Sequence, residues 1–336
     1  MPPSTGGKDS VLIVNLVWWN LKPTECFERE WIRDLLATMD VREIVAPDVP
    51  PRGEDAILVA NFSRHLFGGL RSAFRYRSEQ NRLREAIQTL RTSGRRIGLL
   101  HLGDECFADS TACYRDVDFV FRQYHRAEAH SRSPHCHYLP LGYTAGFAAA
   151  VTPRPMRERR HVWFFAGQGR RTRRRMITAA RSIPGGAMHL TSRFADPSGI
   201  DIVRYAQLMG DAQFALCPIG NCSVECLRLY EALEAGAIPI VETHRLGQCI
   251  ASAVDPRRAL KYGPRDPLFC SRNYQYWERA YPGGFPCLQI SRWSDLPELI
   301  ATTDPEPLAA EIRQWWSDRR QALVRLVTHT IEATFH

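Results

Sequence analysis

Apolar residues in the first 121 positions fall in short runs with at most one strongly polar residue each: Val11–Val17 (VLIVNLV), Ala56–Ala60 (AILVA), Ile97–Leu102 (IGLLHL) and Val117–Phe121 (VDFVF). Such runs are the pattern of strands buried on both faces of a parallel sheet. Arg42–Val45 reads as a further strand. Between these runs the period lengthens to that of a helix. Glu25–Met39 places Phe27, Trp31, Leu35 and Met39 on one face, and Ser78–Thr92 does the same with Leu83, Ile87 and Leu90. Strands alternating with helices predict an α/β fold built on a parallel sheet.

The alternation lapses over Ala145–Arg160, which is rich in Ala, Pro and Arg and has no sustained period, and then restarts. His161–Ala166 (HVWFFA), Ala212–Cys217 (AQFALC) and Ala237–Val241 (AIPIV) read as strands, Arg170–Ser182 and Ser223–Ala235 as helices. The expectation is two Rossmann-like domains in tandem: an N-terminal one over 1–150 and a second over 158–304, followed by a C-terminal helix over 305–336. That helix carries Ile312, Trp315, Trp316, Leu323 and Leu326, and helices of this kind often pack back across a domain boundary.

A length of 336 residues suits two domains, and 44% hydrophobic with 24% charged residues is ordinary for globular protein. The charge says more. The formal net charge is +8, and lysine occurs only at Lys8, Lys22 and Lys261, so the cations are almost all arginine. Arginine binds phosphate and carboxylate bidentately. A phosphorylated or acidic substrate fits this balance, as does nucleic acid, and so does an arginine-rich codon usage with no functional meaning. Ten cysteines without a CxxC pair argue against a zinc ribbon. The core-like settings of Cys106, Cys113, Cys136 and Cys217 read as free thiols in a reducing compartment. Met1–Ser10 has no apolar segment of the signal-peptide kind, and no apolar run is long enough to span a bilayer. The expectation is a cytoplasmic protein whose basic surface allows peripheral association with a membrane.

The segment Ala212–Glu242 carries the chemistry. A buried strand ends at Cys217, Pro218, Gly220 and Asn221 form a turn with exposed amides, Ser223 is a candidate N-cap, and a helix follows. A strand–turn–helix unit aims unpaired N–H groups at an anion, and phosphate is the natural occupant. In an open α/β sheet the crevice at the carboxyl ends of the strands is where ligands bind. Arg228 and Glu231 are three apart on one helical face, suited to a phosphate and a ribose diol respectively. The same spacing suits an Arg–Glu ion pair on a solvated face.

This segment resembles the nucleotide-sugar motif of the exostosin-type glycosyltransferases, including the ribitol xylosyltransferase-like members and their bacterial relatives. The pattern is carried by Phe214, Leu216, Pro218, Gly220, Ser223, Arg228, Glu231, Ala232, Leu233, Gly236, Ile238, Pro239 and Ile240. Ile219 stands where an arginine is frequent, and Cys222 and Cys226 replace polar or small residues. The resemblance implies a GT-B fold, a nucleotide-diphosphate-sugar donor, expected to be a UDP-sugar, and inversion at the anomeric carbon. It implies that Glu231 binds the ribose and that Ser223 and Arg228 lie near the diphosphate. Gly167-Gln168-Gly169-Arg170 resembles the family's glycine loop, with Arg170, Arg171 and Arg173 as charge partners for the leaving diphosphate. Ser192 and Arg193 are candidates for contact with the base.

In a GT-B enzyme the catalytic base comes from the N-terminal domain. The HLGDE stretch at the end of Ile97–Leu102 resembles an H-x-x-D-E element of bacterial exostosin-like proteins, making Asp104 the first candidate and Glu105 the second. His101 reads as a core residue, and Arg122 as either a cleft residue or a structural ion pair. Asp116-Val117-Asp118 spells a D-x-D, but it leads into an apolar strand of the N-terminal half, so no metal is expected. The acceptor implied is a saccharide or lipid-linked glycan precursor. A basic binding protein for acidic glycan or nucleic acid on the same fold is the alternative.

Overall fold

The computed structural model describes residues 12–46, 54–62, 69–107, 109–193, 196–244 and 272–336. Two parallel sheets organise them. The first has the order β2-β1-β3-β4-β5-β6, from β1 (Ile13–Trp18), β2 (Asp40–Val45), β3 (Ala56–Asn61), β4 (Ile97–Leu102), β5 (Phe119–Arg122) and β6 (Cys136–Tyr138). The second has the order β11-β10-β9-β7-β8, from β7 (His161–Gln168), β8 (Ala187–Thr191), β9 (Ala212–Cys217), β10 (Ile238–Glu242) and β11 (Leu288–Ile290). All the paired strands are parallel. Each apolar run of the sequence is a central strand. β4 is buried at all its positions, as a strand covered on both faces must be. The loop leaving the carboxyl end of β4 meets the one leaving β9, where Glu105 accepts Asn221 Nδ2 at 2.8 Å.

Four helices differ from their sequence expectation at the start; one of them, read as Ser78–Thr92, begins at Gly69. Helix α1 covers only Arg29–Leu35, after a 3-10 turn at Pro23–Glu25. Helix α2 (Gly69–Thr92), α3 (Ala127–Arg132) and α4 (Phe147–Ala150) follow in the first half. Helix α5 covers Arg174–Arg181, after a 3-10 turn at Arg171–Arg173, and α6 is Ile202–Gly210. Helix α7 is Leu227–Glu234 with Cys226 at the N-cap, so Ser223 is not the cap. The reason is local. Asn273 Oδ1 accepts the Val224 N–H at 3.1 Å and Ser223 Oγ accepts the Glu225 N–H at 3.1 Å, and these bonds hold the chain out of helix until Cys226.

The C-terminal helix, Pro305–Phe335, ties the two halves together. Trp316 stacks on Trp31 with ring centroids 5.9 Å apart and donates to Glu234 at 2.9 Å. Arg320 bridges Asp34 of the first half at 2.8 Å and Glu234 of the second at 3.1 Å. Deeper in the seam, buried Glu225 accepts the Tyr138 hydroxyl at 2.6 Å and the hydroxyls of Tyr230 and Tyr276. Burial pushes its carboxyl pKa up. A Cys106–Cys222 disulfide also crosses the seam. This corrects the expectation of a free thiol for Cys106 and gives a structural role to Cys222, which stands where the resembled motif has a polar or small residue. Cys26, Cys113, Cys136, Cys217, Cys226 and Cys287 are free. Among the described residues no helix is long and apolar enough to cross a membrane.

Candidate functional site

Three arginines gather around the β9–α7 turn and the end of β7. Arg228, from the first turn of α7, reaches back under β7: its Nη2 donates to the Ala166 carbonyl at 2.8 Å and its Cζ lies 4.7 Å from the Phe165 ring centroid. Arg173 donates to the carbonyls of Gln168 and Ile219 at 3.2 and 3.3 Å. Arg170 donates to the side chains of Gln168 and Asn221. Gly167 makes room for this: at φ +149° its backbone favours glycine, and a Cβ would lie 2.9 Å from Arg228 Nη2. Among the described residues none of these three arginines forms an ion pair with a carboxylate. The Nε atoms of Arg173 and Arg228 are buried without a hydrogen-bond partner. Burial, then repulsion from Arg228 and Arg170, pushes the Arg173 pKa down to about 10. Arg171 is exposed.

The turn itself is occupied by a carboxylate from the other domain. Glu105 Oε1 accepts the N–H of Asn221 and that of Cys222, the latter at 3.1 Å, and Oε2 accepts Asn221 Nδ2 at 2.8 Å. Gly220 lies directly beneath, and a Cβ there would collide with Glu105 Oε1. Pro218 is buried where the turn leaves β9. Gly169 and the Ser192 loop are neighbours through the Gly169 N–H, which donates to the Thr191 carbonyl at 3.0 Å. Ser192 Oγ is itself committed to Asp196, at 2.5 Å, and Arg193 is exposed.

Arg228 and Glu231 do not pair with each other. Glu231 is 4% exposed and takes Thr144 Oγ1 at 2.6 Å on one oxygen and the Tyr205 hydroxyl at 2.6 Å on the other. A ribose diol at this carboxylate would have to share or replace those two bonds.

The first candidate base is corrected by its surroundings. Asp104 is 0% exposed, accepts Arg122 Nη2 at 2.6 Å and the Asp109 N–H at 3.0 Å, and lies beneath the loop rather than in the crevice. A base needs an oxygen that can meet the acceptor hydroxyl, and Asp104 has none. Burial, then the Asp109 charge, raises its pKa against the pull of Arg122. His101 is a satisfied core residue, held by the Tyr114 hydroxyl at 2.6 Å and Asp109 at 2.7 Å. Arg122 is the structural ion pair. The D-x-D lies at the opposite end of the sheet, where Asp118 Oδ2 accepts the first N–H of β4, from Ile97, at 2.6 Å.

One carboxyl that the sequence pattern did not single out lies close by. Glu28 holds the N-cap position of α1 but makes no capping bond. It is 8% exposed, and its carboxylate takes long contacts from Gln123 Nε2 at 3.4 Å and Cys26 Sγ at 3.5 Å. The Phe27 carbonyl beside it accepts the Ala145 N–H at 2.7 Å, and Thr144, one residue earlier, reaches Glu231. Burial raises the Glu28 pKa. Its place after a strand's carboxyl end is the one signal that could have found it.

The family model described as the RXYLT1 C-terminal domain matches residues 197–278. That span contains β9, the turn and α7. A ribitol-5-phosphate xylosyltransferase 1 from Danio rerio is 26% identical over 156 residues, 44% of this chain and 31% of that protein. The match thus takes in about a third of the relative's length. A crystal structure of an alpha1,3-fucosyltransferase superimposes with a TM-score of 0.40 and 9% identity, covering 71% of each chain. The likeness to glycosyltransferases in sequence includes the segment that builds the cationic turn.

Proposed function

We propose that the chain is an inverting glycosyltransferase that uses a nucleoside-diphosphate sugar, taken to be a UDP-sugar. The observation that carries this reading is the convergence of Arg170, Arg173 and Arg228 on a turn whose Asn221 and Cys222 amides hold a carboxylate. Amides and guanidiniums arranged in this way stabilise the charge that develops on a leaving diphosphate, without reorganisation. Glu231, with Tyr205 and Thr144, forms the ribose end of the same site. The nucleobase is assigned to the Ser192–Arg193 loop, next to Gly169. No metal takes part, and the acceptor is a hydroxyl of a saccharide or lipid-linked glycan precursor, with peripheral membrane contact through the basic surface.

The transfer needs a carboxylate in the N-terminal domain that removes the acceptor proton while the diphosphate departs on the opposite face of the sugar. Glu28 is assigned this role. Its long side-chain contacts, its 8% exposure and its raised pKa support this reading, because a base must take up a proton. The donor reading is tested by melting the protein with a panel of nucleoside diphosphates and nucleotide sugars. A selective ligand of the native state raises Tm by mass action. Identical melting with every nucleotide at millimolar concentration would remove the donor site.

A further inference from the structure

Two pairs of consecutive residues form one joint across the seam: Glu105-Cys106 from the first domain and Asn221-Cys222 from the second. Glu105 lies on the Asn221 and Cys222 amides, and the next covalent connection along the chain is the Cys106–Cys222 disulfide. The carboxylate therefore uses the N–H donors that an anionic oxygen of a phosphate would use. It does so near Arg170, which donates to the Asn221 side chain, and Arg173, which donates to the Ile219 carbonyl. The loop bearing it turns sharply at both ends, at Gly103 with φ +77° and at Phe107 with φ +51°. A turn so built re-aims its middle residues by changes at a few backbone angles.

We propose that Glu105 is an internal plug of the diphosphate subsite, held in place by the Cys106–Cys222 disulfide, and that reduction of this disulfide by a dithiol opens the subsite to donor. The inference rests on the donor reading above. A thiolate of the reductant attacks one sulfur of the Cys106–Cys222 bond and forms a mixed disulfide. The second thiol of the reductant then displaces it. The reductant leaves as its own disulfide, having given two electrons, and Cys106 and Cys222 end as two thiols carrying the two protons. The physical effect is on effective concentration. Tethered one residue from the cross-link, Glu105 competes with phosphate as an intramolecular ligand, and opening the cross-link lets the loop leave.

The experiment titrates inorganic pyrophosphate and UDP, by calorimetry and thermal shift, into oxidised and dithiothreitol-reduced protein. The Cys106→Ser, Glu105→Ala and Glu311→Ala variants are titrated alongside. Reduction of the wild type should tighten pyrophosphate binding by on the order of tenfold. Cys106→Ser should bind like the reduced protein whether or not reductant is present. Glu105→Ala should bind tightly in both redox states. Glu311→Ala removes the same charge from an exposed position on the C-terminal helix, and it should keep the wild-type redox dependence. Equal affinity in both redox states, with Glu105→Ala no tighter than wild type, overturns the plug and leaves the donor site standing. Failure of every form to bind either probe overturns both. If Cys106→Ser does not fold, the reduced wild type decides.

Discussion

In the N-terminal domain, His101, Asp104, Asp109, Tyr114 and Arg122 meet beneath the ends of β4 and β5, each polar group matched by another of the same domain. In the C-terminal domain, Arg170, Arg173 and Arg228 converge on the β9–α7 turn, and the carboxylate that meets that turn, Glu105, comes from across the seam. Both clusters are charged and at least partly buried, and they differ in closure. An ion taken out of water costs several kcal/mol unless a partner compensates it. The first cluster supplies that partner internally and so works as structure. The second pairs none of its three arginines with a carboxylate among the described residues, and burial, then repulsion from Arg228 and Arg170, pushes the Arg173 pKa down to about 10. Its natural complement is an anion from outside the domain, which is the property of a binding site.

The carboxyl outside both clusters gives the largest test. If Glu28 is the base, Glu28→Gln should lower kcat by roughly 10²–10⁴-fold and leave UDP affinity unchanged, because a general base acts on the chemical step. The pH profile carries a sign. Glu28 works ionised, and burial raises its pKa. Activity should therefore rise with pH through a limb displaced above the ordinary glutamate value of about 4.3. A profile with its acid limb at or below that value, or full turnover in Glu28→Gln, returns the base to another residue.

Next in size is the closed cluster. Arg122→Met strands Asp104, whose bond to Arg122 Nη2 is 2.6 Å long in a fully buried setting. Removing one partner of a buried pair costs about 3–5 kcal/mol, read as a shift of the urea midpoint at unchanged slope. Arg173→Met should cost less, since its bonds go to two backbone carbonyls rather than to a buried carboxylate, and its loss relieves both burial of a charge and repulsion. Equal losses in the two variants would erase the distinction drawn between the clusters.

Much of the fold was legible because buried parallel strands write themselves as apolar runs: β4 and β9 have the bounds that the pattern gives. β6, β8 and β11 were not read, and each has a physical reason. β6 and β11 are three-residue edge strands, and β8 is half-buried throughout, so none forms an apolar run. The turn residues from Pro218 to Ser223 and the arginines at 170, 173 and 228 were named from the sequence, and the fold brings them to one place. Asp104 and Glu105 are adjacent in sequence yet face different domains, and no pattern encodes which of two neighbours turns inward. The bond from Glu105 to Asn221 spans 116 positions, and that between Cys106 and Cys222 as many. Contacts of that range follow from the docking of two domains and are invisible to local periodicity.

The open cluster is then probed directly. Arg228→Met should weaken UDP and pyrophosphate binding by the worth of one charge-assisted hydrogen bond, about 1.5–3 kcal/mol, or roughly 10- to 150-fold. Arg204→Met, on an exposed position of α6, removes an equal charge and should change affinity little. If the two variants weaken binding equally, the attraction is diffuse field and the cluster is a basic surface, as the rival binding-protein reading holds.

The smallest expected effect is none at all, and it concerns metal. A diphosphate leaving group carries charge that many transferases balance with a divalent cation. Here the β9–α7 turn offers two amide donors aimed at one point and three guanidiniums around it, and such groups balance phosphate charge without a cation. A cation added among Arg170, Arg173 and Arg228 would also meet the repulsion of three guanidiniums. Asp116 and Asp118, whose spacing suits a metal, are spent at the far end of the first sheet, where Asp118 accepts the Ile97 N–H. Turnover measured in saturating EDTA should therefore equal turnover without it. Loss of activity that Mn²⁺ restores and other cations do not would mean that the arginine cluster is insufficient, and that the comparison between a closed and an open cluster misses a third charge in the site.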